Sequence, residues 1–153
     1  MERNRHNGLI YYQFESLLGL SSLAHGVFTR RGGVSPVPFD SLNVGSTVGD
    51  APHNVQINRE RMATALDLRD DDTRTSWQVH GADVLVVRRE AAPTGPPPKA
   101  DALITSEREM PLVMRFADCV PLLFYDPVRG VAGIAHAGWK GTLAGIGPAP
   151  IQA

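Results

Sequence analysis

The chain has 153 residues, of which 42% are hydrophobic and 20% are charged, and its formal net charge is -1. This length suits a single domain with a real core, and the composition is ordinary for a soluble globular protein. The near-neutral charge excludes the basic surface of a general nucleic-acid binder. The single cysteine excludes an intramolecular disulfide framework, so folding does not depend on oxidation.

The N-terminal stretch gives no sign of export. MERNRHNGLIYYQFESLLGLSS lacks the long apolar core and the small-residue cleavage site of a signal peptide. No apolar run in the chain reaches membrane-spanning length. We therefore expect a cytoplasmic protein with no membrane partner and no nucleic-acid partner.

The first half of the chain contains two strand candidates, a long loop and one clear helix. Residues 9–14 (LIYYQF) and 24–30 (AHGVFTR) are rich in β-branched and aromatic side chains. The glycine, proline, serine and asparagine residues of 31–50 predict a long loop, either a solvated connection or a functional segment. Asp50 is the predicted helix N-cap, and Pro52 falls in the first turn, where its missing N–H costs nothing.

The predicted helix has one apolar face. Val55, Met62, Ala65 and Leu66 recur on that face at helical spacing. Asn58 lies near the same face, where a buried amide needs a hydrogen-bond partner. The helix is therefore expected to pack through this face and to bury one polar side chain.

The second half of the chain contains several more strand candidates. Residues 84–87 form the β-branched core of one, and Gly81 marks a bulge or turn just before it. ADALITS (100–106) and PLVMRFADC (111–119) are further apolar candidates. Many strands with one clear helix indicate an α/β or α+β sandwich with a mostly buried sheet.

The only cysteine and one histidine fall in a predicted hairpin. The strands CVPLLFYD and VAGIAHA flank DPVRG, which has the residue chemistry of a type I turn. If Asp126 pairs with Val131, His136 faces Pro121, and Cys119 then lies on the same face as His136. The two become diagonal neighbours with Cβ atoms about 7 Å apart. A one-residue slip would send them to opposite faces.

Three interpretations of this pair compete. Cys119 is a buried structural cysteine beside an unrelated histidine, a nucleophile activated by His136, or one ligand of a metal site with a third ligand from elsewhere. Asp118 is expected to point to the other face of a regular strand. His80, in WQVHGAD, is the best third ligand, although a histidine in such an apolar setting is more often a satisfied core residue. His25 is a weaker reserve.

A set of two histidines and one cysteine with an open fourth position is typical of a catalytic zinc site. Zinc lowers the pKa of a bound water to about 7, which supplies a nucleophile at neutral pH. The metal interpretation therefore implies a catalytic centre, with Cys119 as a ligand.

Six segments occur in order along the chain and together resemble the YfiH-like laccase-domain family, also labelled polyphenol oxidase or purine nucleoside phosphorylase. Each segment alone is modest, but their joint order over about residues 23–146 is highly specific. They are HGVFTRRGGVSPVPFDSLNVG, VGDAPHNVQINRERMATAL, WQVHGADV, ADALIT, ADCVPLLFYDP and VAGIAHAGWKGTLAGI.

The resemblance implies a fold, a metal site and a class of reactions. The fold is an α/β (α+β) sandwich with mixed β-sheets, and the zinc ligands and catalytic residues at matching positions are His80, Cys119 and His136. The implied activity is zinc-dependent phosphorolysis of adenosine, inosine or methylthioadenosine, together with adenosine deamination, so a purine nucleoside and phosphate are the expected partners. The alternatives are a copper-dependent polyphenol oxidase and a cell-wall precursor amidase.

The resemblance also suggests residues for substrate. Arg30 and Asn43 belong to family blocks, and Lys140, where the family commonly has arginine, is a weaker phosphate contact because it lacks a bidentate fork. The cationic side chains of Arg30 and Lys140 suit an anionic phosphate. The glutamate that follows the zinc histidine by two residues in cytidine-type deaminases is replaced here by Ala82, so a different group must exchange protons.

The family continues beyond the HAGW block through a helix and a substantial C-terminal portion, whereas GTLAGI begins such a helix here and GPAPIQA ends it. We therefore expect one YfiH-like domain over 1–153 without the C-terminal part of the family fold. A naturally short variant, a truncated one and a partner chain that supplies the missing layer stay open. Exposed apolar surface then predicts a homo-oligomer, and an inactive truncated homologue is a further alternative.

Overall fold

The computed structural model describes residues 1–69, 73–89 and 95–153. The chain divides into two compact units, which we call the N-terminal unit (residues 1–71) and the C-terminal unit (72–153). No helix within the described ranges has the length and apolar character needed to cross a membrane.

The N-terminal unit contains a small antiparallel sheet and the predicted long helix. The strand order is β1 (Glu2–His6), β2 (Leu9–Gln13) and β3 (Val27–Phe28), with Arg5 opposite Ile10 and Tyr11 opposite Phe28. The second strand was predicted, the third is shorter than expected, and the first was not predicted because its sequence ERNRH is polar. The elements are β1 (Glu2–His6), β2 (Leu9–Gln13), α1 (Glu15–Leu18), β3 (Val27–Phe28) and α2 (Pro52–Ala65).

The predicted loop over 31–50 contains neither helix nor strand, and buried polar contacts hold it to α2. Asn58 is fully buried. Its side-chain oxygen accepts the Val34 N–H at 2.9 Å, and its amide nitrogen donates to the Ser35 hydroxyl at 2.9 Å and to the Asn43 carbonyl at 2.8 Å. The expectation of partners for Asn58 is therefore confirmed.

Asp50 does not occupy the N-cap position that the sequence predicted. Ala51 is the N-cap residue and makes no side-chain cap bond. The Asp50 carboxylate instead accepts hydrogen bonds from the Ser35 hydroxyl at 2.6 Å and the Ala51 N–H at 2.8 Å, and from the amides of Asn43 and Asn54. Because the loop offers these donors, Asp50 closes the loop rather than capping the helix.

The C-terminal unit is built on a four-stranded mixed sheet in the order β4 (Val84–Val86), β5 (Ala102–Thr105), β7 (Val131–Ala137) and β6 (Val120–Asp126). β4 and β5 are parallel, and the other neighbours are antiparallel. All four residues of β5 are buried, so both faces of this strand are covered. The elements are β4 (Val84–Val86), β5 (Ala102–Thr105), β6 (Val120–Asp126), β7 (Val131–Ala137), α3 (Trp139–Leu143) and α4 (Ala149–Gln152).

Two apolar clusters pack against this sheet. One is formed by Val87, Leu103, Met110 and Met114, and the other by Ala102, Ala135 and Ile146. The α+β class with a mixed sheet is thus confirmed. The strand predicted over 111–119 is wrong: within this segment only Leu112 forms an isolated bridge, to Arg74, and its apolar side chains serve the core from irregular backbone.

Candidate metal centre

The three ligands proposed from the sequence converge in the C-terminal unit. His80, Cys119 and His136 each offer a ligand atom, and these atoms all lie within 4.8 Å of one another. His80 lies in the turn before β4, Cys119 immediately precedes β6, and His136 is in β7. His136 is buried, Cys119 is partly buried and His80 is exposed, so the group opens towards solvent on the His80 side.

The hairpin has the predicted register. Asp126 pairs with Val131, and Pro121 pairs with His136. The Asp126 carboxylate accepts the backbone N–H groups of Val128 and Arg129 at 2.8 and 3.0 Å, which fixes the turn. Turn chemistry therefore determines the register that brings the cysteine and the histidine together.

Asp118 does not face away from the site. The backbone bends over residues 117–119, and the strand begins one residue after Cys119 rather than at it. The Cys119 thiol lies 3.8 Å from the Asp118 carboxylate as a donor. The expected opposite orientation required a regular strand, and the bend removes that condition.

His80 has a left-handed backbone conformation, with φ of +60°. This region is sparsely populated by residues other than glycine and is often found at functional sites. The backbone N–H groups of Val79, His80 and Gly81 all donate to the buried Asp101 carboxylate, at 3.1, 2.9 and 2.8 Å. These three bonds hold the turn that presents His80.

The same carboxylate contacts the second histidine. The Nδ1 atom of His136 lies 2.8 Å from Oδ1 of Asp101. Burial alone would raise the pKa of the Asp101 carboxyl, but the hydrogen bonds from His136 and the 79–81 backbone lower it. An ionised Asp101 accepts the Nδ1–H of His136 and leaves Nε2 as the ligand atom. The two imidazole rings meet edge to face, with centroids 4.8 Å apart.

Gly138 leaves room for the ligands at the start of α3. A Cβ atom at this position would lie 2.8 Å from Nδ1 of His80 and 3.1 Å from Sγ of Cys119. Its φ of −75° suits any residue, so the requirement for glycine is steric. Gly141 allows an equally close approach, because a Cβ there would lie 2.6 Å from the Gly81 carbonyl oxygen.

The Cys119 thiol is not an activated nucleophile in this arrangement. Burial raises its pKa, and the negative charge of Asp118 raises it further. A nucleophilic cysteine needs a lowered pKa, supplied by a cation or a helix N-terminus. Coordination to a metal ion would displace the proton directly, which favours the ligand role.

The donor set fits a zinc ion or a copper ion. Two imidazoles and one thiolate with an open position match catalytic zinc, and His₂Cys sets also bind copper. Within the described ranges it is the one group of three or more such side chains that could hold a metal ion. The reserve ligand His25 lies in the N-terminal unit, where its buried Nε2 accepts the Phe14 N–H at 2.8 Å.

The residues predicted to bind substrate are divided between the two units. In the N-terminal unit, a cleft of about 250 Å³ is lined by Arg30, Arg31, Asp40 and Ser41. Arg30 is exposed and pairs there with Asp40 at 3.3 Å. The Asn43 amide bonds the Gly45 backbone and Asp50.

In the C-terminal unit, the Lys140 ammonium lies 5.5 Å from the centre of the exposed Trp139 ring. The roles of Arg30, Asn43 and Lys140 towards substrate stay predictions.

The sequence interpretation missed two residues of the centre. Asp101 lies within the quoted block ADALIT, and Gly138 lies within HAGW, but neither was assigned a role. A carboxylate directly before a largely apolar strand was the available signal, because such a charge requires partners when it is buried. The signal for Gly138 was its position two residues after a candidate ligand.

Solved structures support the fold. The chain superposes on the crystal structure of YfiH from Bacillus licheniformis with a TM-score of 0.82 and 35% identity, covering 96% of this chain and 55% of that one. The crystal structure of YlmD from Geobacillus stearothermophilus gives a TM-score of 0.82 and 38% identity, covering 94% of this chain and 54% of that one. The fold and the convergent site therefore define a YfiH-like protein.

A family model described as multi-copper polyphenol oxidoreductase laccase matches residues 24–153, and the chain belongs to this family. The purine nucleoside phosphorylase SCO2081 of Streptomyces coelicolor is 51% identical over 135 residues, which are 85% of this chain and 54% of that protein. The purine nucleoside phosphorylase YlmD of Geobacillus stearothermophilus is 42% identical over 79% of this chain and 46% of that protein. The chain thus spans about half the length of these relatives.

Proposed function

We propose that this chain carries the metal centre of a zinc-dependent purine nucleoside enzyme, which catalyses phosphorolysis of adenosine, inosine and methylthioadenosine and also deaminates adenosine. The observation that carries the proposal is the convergence of the His80, Cys119 and His136 ligand atoms within 4.8 Å. The names of the relatives supply the reaction class, since they are purine nucleoside phosphorylases.

In phosphorolysis, the bond between the sugar C1′ and the purine N9 breaks, and a phosphate oxygen bonds to C1′. The purine leaves with the electron pair and takes up a proton. Zinc supplies Lewis-acid polarisation of a bound oxygen when it is present. His80, Cys119 and His136 would hold the ion. Arg30, Asn43 and Lys140 are proposed to bind substrate, with the two cations favouring phosphate.

Deamination needs a group that moves protons near the reacting carbon. Ala82 stands where cytidine-type deaminases have glutamate, so that position supplies none. Asp118 is the carboxylate beside the ligand group, at 3.8 Å from Sγ of Cys119. We assign the proton transfer to Asp118 on this proximity.

A copper phenol oxidase is the second candidate, because the family description and the His₂Cys donor set both favour it. A multicopper centre needs several metal groups, and the described ranges contain one. The raised pKa of Cys119 argues against an amidase that uses this thiol as nucleophile. The zinc nucleoside enzyme therefore remains the first proposal.

The test combines metal analysis with product analysis on the full chain. The zinc-loaded protein is mixed with inosine with and without phosphate, and with adenosine without phosphate. We expect phosphate-dependent release of hypoxanthine and phosphate-independent formation of inosine. The copper-loaded protein is assayed in parallel for oxidation of a phenol.

The matched variants are His136→Ala and His53→Ala, the second being an exposed histidine of α2. We expect activity to be lost in the first and unchanged in the second. Zinc-loaded protein that forms neither product would remove the catalytic proposal for this chain, and oxidation of phenol by the copper form alone would favour the second candidate.

Cytoplasmic location, the single domain and homo-oligomerisation stay predictions. The mass of the protein in solution tests whether it forms a homo-oligomer.

A further inference from the structure

Asp101 is the side chain that connects the two histidines of the candidate metal centre. It is fully buried at the start of β5, and its carboxylate accepts four hydrogen bonds. Three donors are successive backbone N–H groups of the turn before β4, and the fourth is the His136 ring. The residues that share this carboxylate are 20 to 35 positions away in sequence.

The contact to the turn determines where His80 can point. Successive N–H groups that converge on one point form a concavity that attracts an anion. Here the chain supplies that anion, since Val79, His80 and Gly81 all donate to Asp101. The left-handed φ of +60° at His80 costs free energy in a residue with a Cβ. Without Asp101, the three donors lose the acceptor that offsets this cost.

The contact to His136 determines which ring nitrogen is free. Nδ1 lies 2.8 Å from the Asp101 carboxylate, and the His136 backbone N–H also donates to the Asp101 carbonyl at 2.7 Å. The carboxylate already acts as the acceptor for three backbone N–H groups, so we assign the donor role in this contact to the Nδ1–H of the ring. Nε2 keeps its lone pair, which a metal ligand requires.

We propose that Asp101 is a positioning residue that pre-organises both histidine ligands, fixing the His80 turn through its backbone and the His136 ring through Nδ1. This inference rests on the metal centre proposed above. Asp101 touches no ligand atom itself, and it acts through the two residues that do. Partners that orient metal-bound histidines typically change metal affinity 10- to 100-fold when they are replaced.

A purely structural carboxylate would behave differently, and the chain offers one for comparison. Asp50 is buried in the N-terminal unit and also accepts four hydrogen bonds, but none from a candidate ligand. Replacement of either aspartate by asparagine keeps the shape and removes the charge. A loss of stability alone cannot separate the two roles, whereas metal affinity and the ring tautomer can.

The first measurement is zinc affinity of the full chain by competition with a chromophoric chelator. We expect Asp101→Asn to bind zinc about 10- to 100-fold more weakly than the wild type, and Asp50→Asn to stay within about twofold. Circular dichroism confirms that each variant folds. Equal affinity of folded Asp101→Asn and wild type would overturn the inference.

The second measurement needs neither a substitution nor a metal. In metal-free wild type, ¹⁵N NMR of the histidine rings well above the ordinary pKa of about 6.5 reports which nitrogen carries the hydrogen. We expect Nδ1–H for His136, and a hydrogen on Nε2 would overturn the inference even if Asp101→Asn failed to fold. If the wild type shows Nδ1–H but binds no zinc, the metal centre is wrong and the orientation of His136 by Asp101 stands.

Discussion

Asp50 in the N-terminal unit and Asp101 in the C-terminal unit are both buried and each accept four hydrogen bonds, but the two have different effects. Asp50 bonds a hydroxyl, two amides and one backbone N–H, all within the long loop and the start of α2. Asp101 bonds three backbone N–H groups and an imidazole. Both are buried anions that satisfy their hydrogen-bonding capacity inside the protein.

The two aspartates differ in what else their hydrogen-bond donors contact. The Asn43 amide that bonds Asp50 also bonds the loop backbone at Gly45, through its nitrogen and its oxygen. The imidazole that bonds Asp101 belongs to His136, which offers a ligand atom within 4.8 Å of those of His80 and Cys119. With Nδ1 bonded to Asp101, Nε2 is the nitrogen left to bind a metal. The same arrangement therefore closes a loop in one unit and orients a proposed metal ligand in the other.

The largest expected effect comes from removing a ligand of the C-terminal unit. Cys119→Ala should weaken zinc binding by more than about 100-fold. Replacing a partner that only orients a ligand costs about 10- to 100-fold, and removing a ligand itself should cost more. His53→Ala, at an exposed histidine of α2, should leave binding unchanged. Chelator competition measures both. Full zinc affinity in folded Cys119→Ala would exclude the thiol from the site and reduce the centre to two histidines.

A smaller effect is expected from crowding the same ligands. Gly138→Ala places a methyl group 2.8 Å from Nδ1 of His80 and 3.1 Å from Sγ of Cys119. Because both side chains must move, zinc affinity should fall by about tenfold. Gly147→Ala is the matched control, since no atom lies within 4 Å of its added Cβ. Equal affinities of the two variants would mean that the ligands accommodate the methyl group without cost.

The smallest effect concerns pH and the N-terminal unit. The Ser35 hydroxyl, followed by Asn43, Asn54 and the Ala51 N–H, lowers the pKa of Asp50 from 3.8 to about 2. The folded state therefore favours the ionised form, and this contribution to stability is full above about pH 4 and is lost as the pH falls through about 2. The free energy of unfolding of wild type should fall more steeply over this window than that of Asp50→Asn.

Urea unfolding at a series of pH values from about 5 to 2 measures the two slopes. Zinc affinity of Asp50→Asn at neutral pH should match that of wild type, since Asp50 contacts no candidate ligand. Parallel pH profiles of the two proteins would show that the hydrogen bonds to Asp50 do not favour its ionised form.

The hairpin was predictable because the residues that determine its register lie in the turn between its two strands. Asp126, Pro127 and Gly130 specify the turn, and the turn specifies the register that pairs Pro121 with His136. The helix with its buried Asn58 was predictable for a similar reason, since helical spacing shows which face is covered. The third candidate ligand, His80, was only the best of several histidines on the residues alone, because nothing local connects it to the hairpin, and the family resemblance then selected it.

The role of Asp101 was not predictable from the same patterns. It depends on a left-handed turn at a histidine, on strand pairing between β5 and β7, and on donors that lie 20 to 35 residues away in sequence. The segment over 111–119 misled for the opposite reason: its apolar side chains resemble a strand, but Met114 serves the core from irregular backbone. A segment that is buried shows an apolar pattern whatever its backbone conformation, but it forms a strand only when a neighbouring strand pairs with it by hydrogen bonds.

The central claim is that one metal ion is held by two imidazoles and one thiolate. X-ray absorption of the zinc-loaded wild type tests it most directly, because zinc–sulfur and zinc–nitrogen distances differ, at about 2.3 Å and about 2.0–2.1 Å. We predict one zinc per chain with one sulfur and two imidazole nitrogens in its shell. A shell without sulfur, or with a single imidazole, would contradict the account.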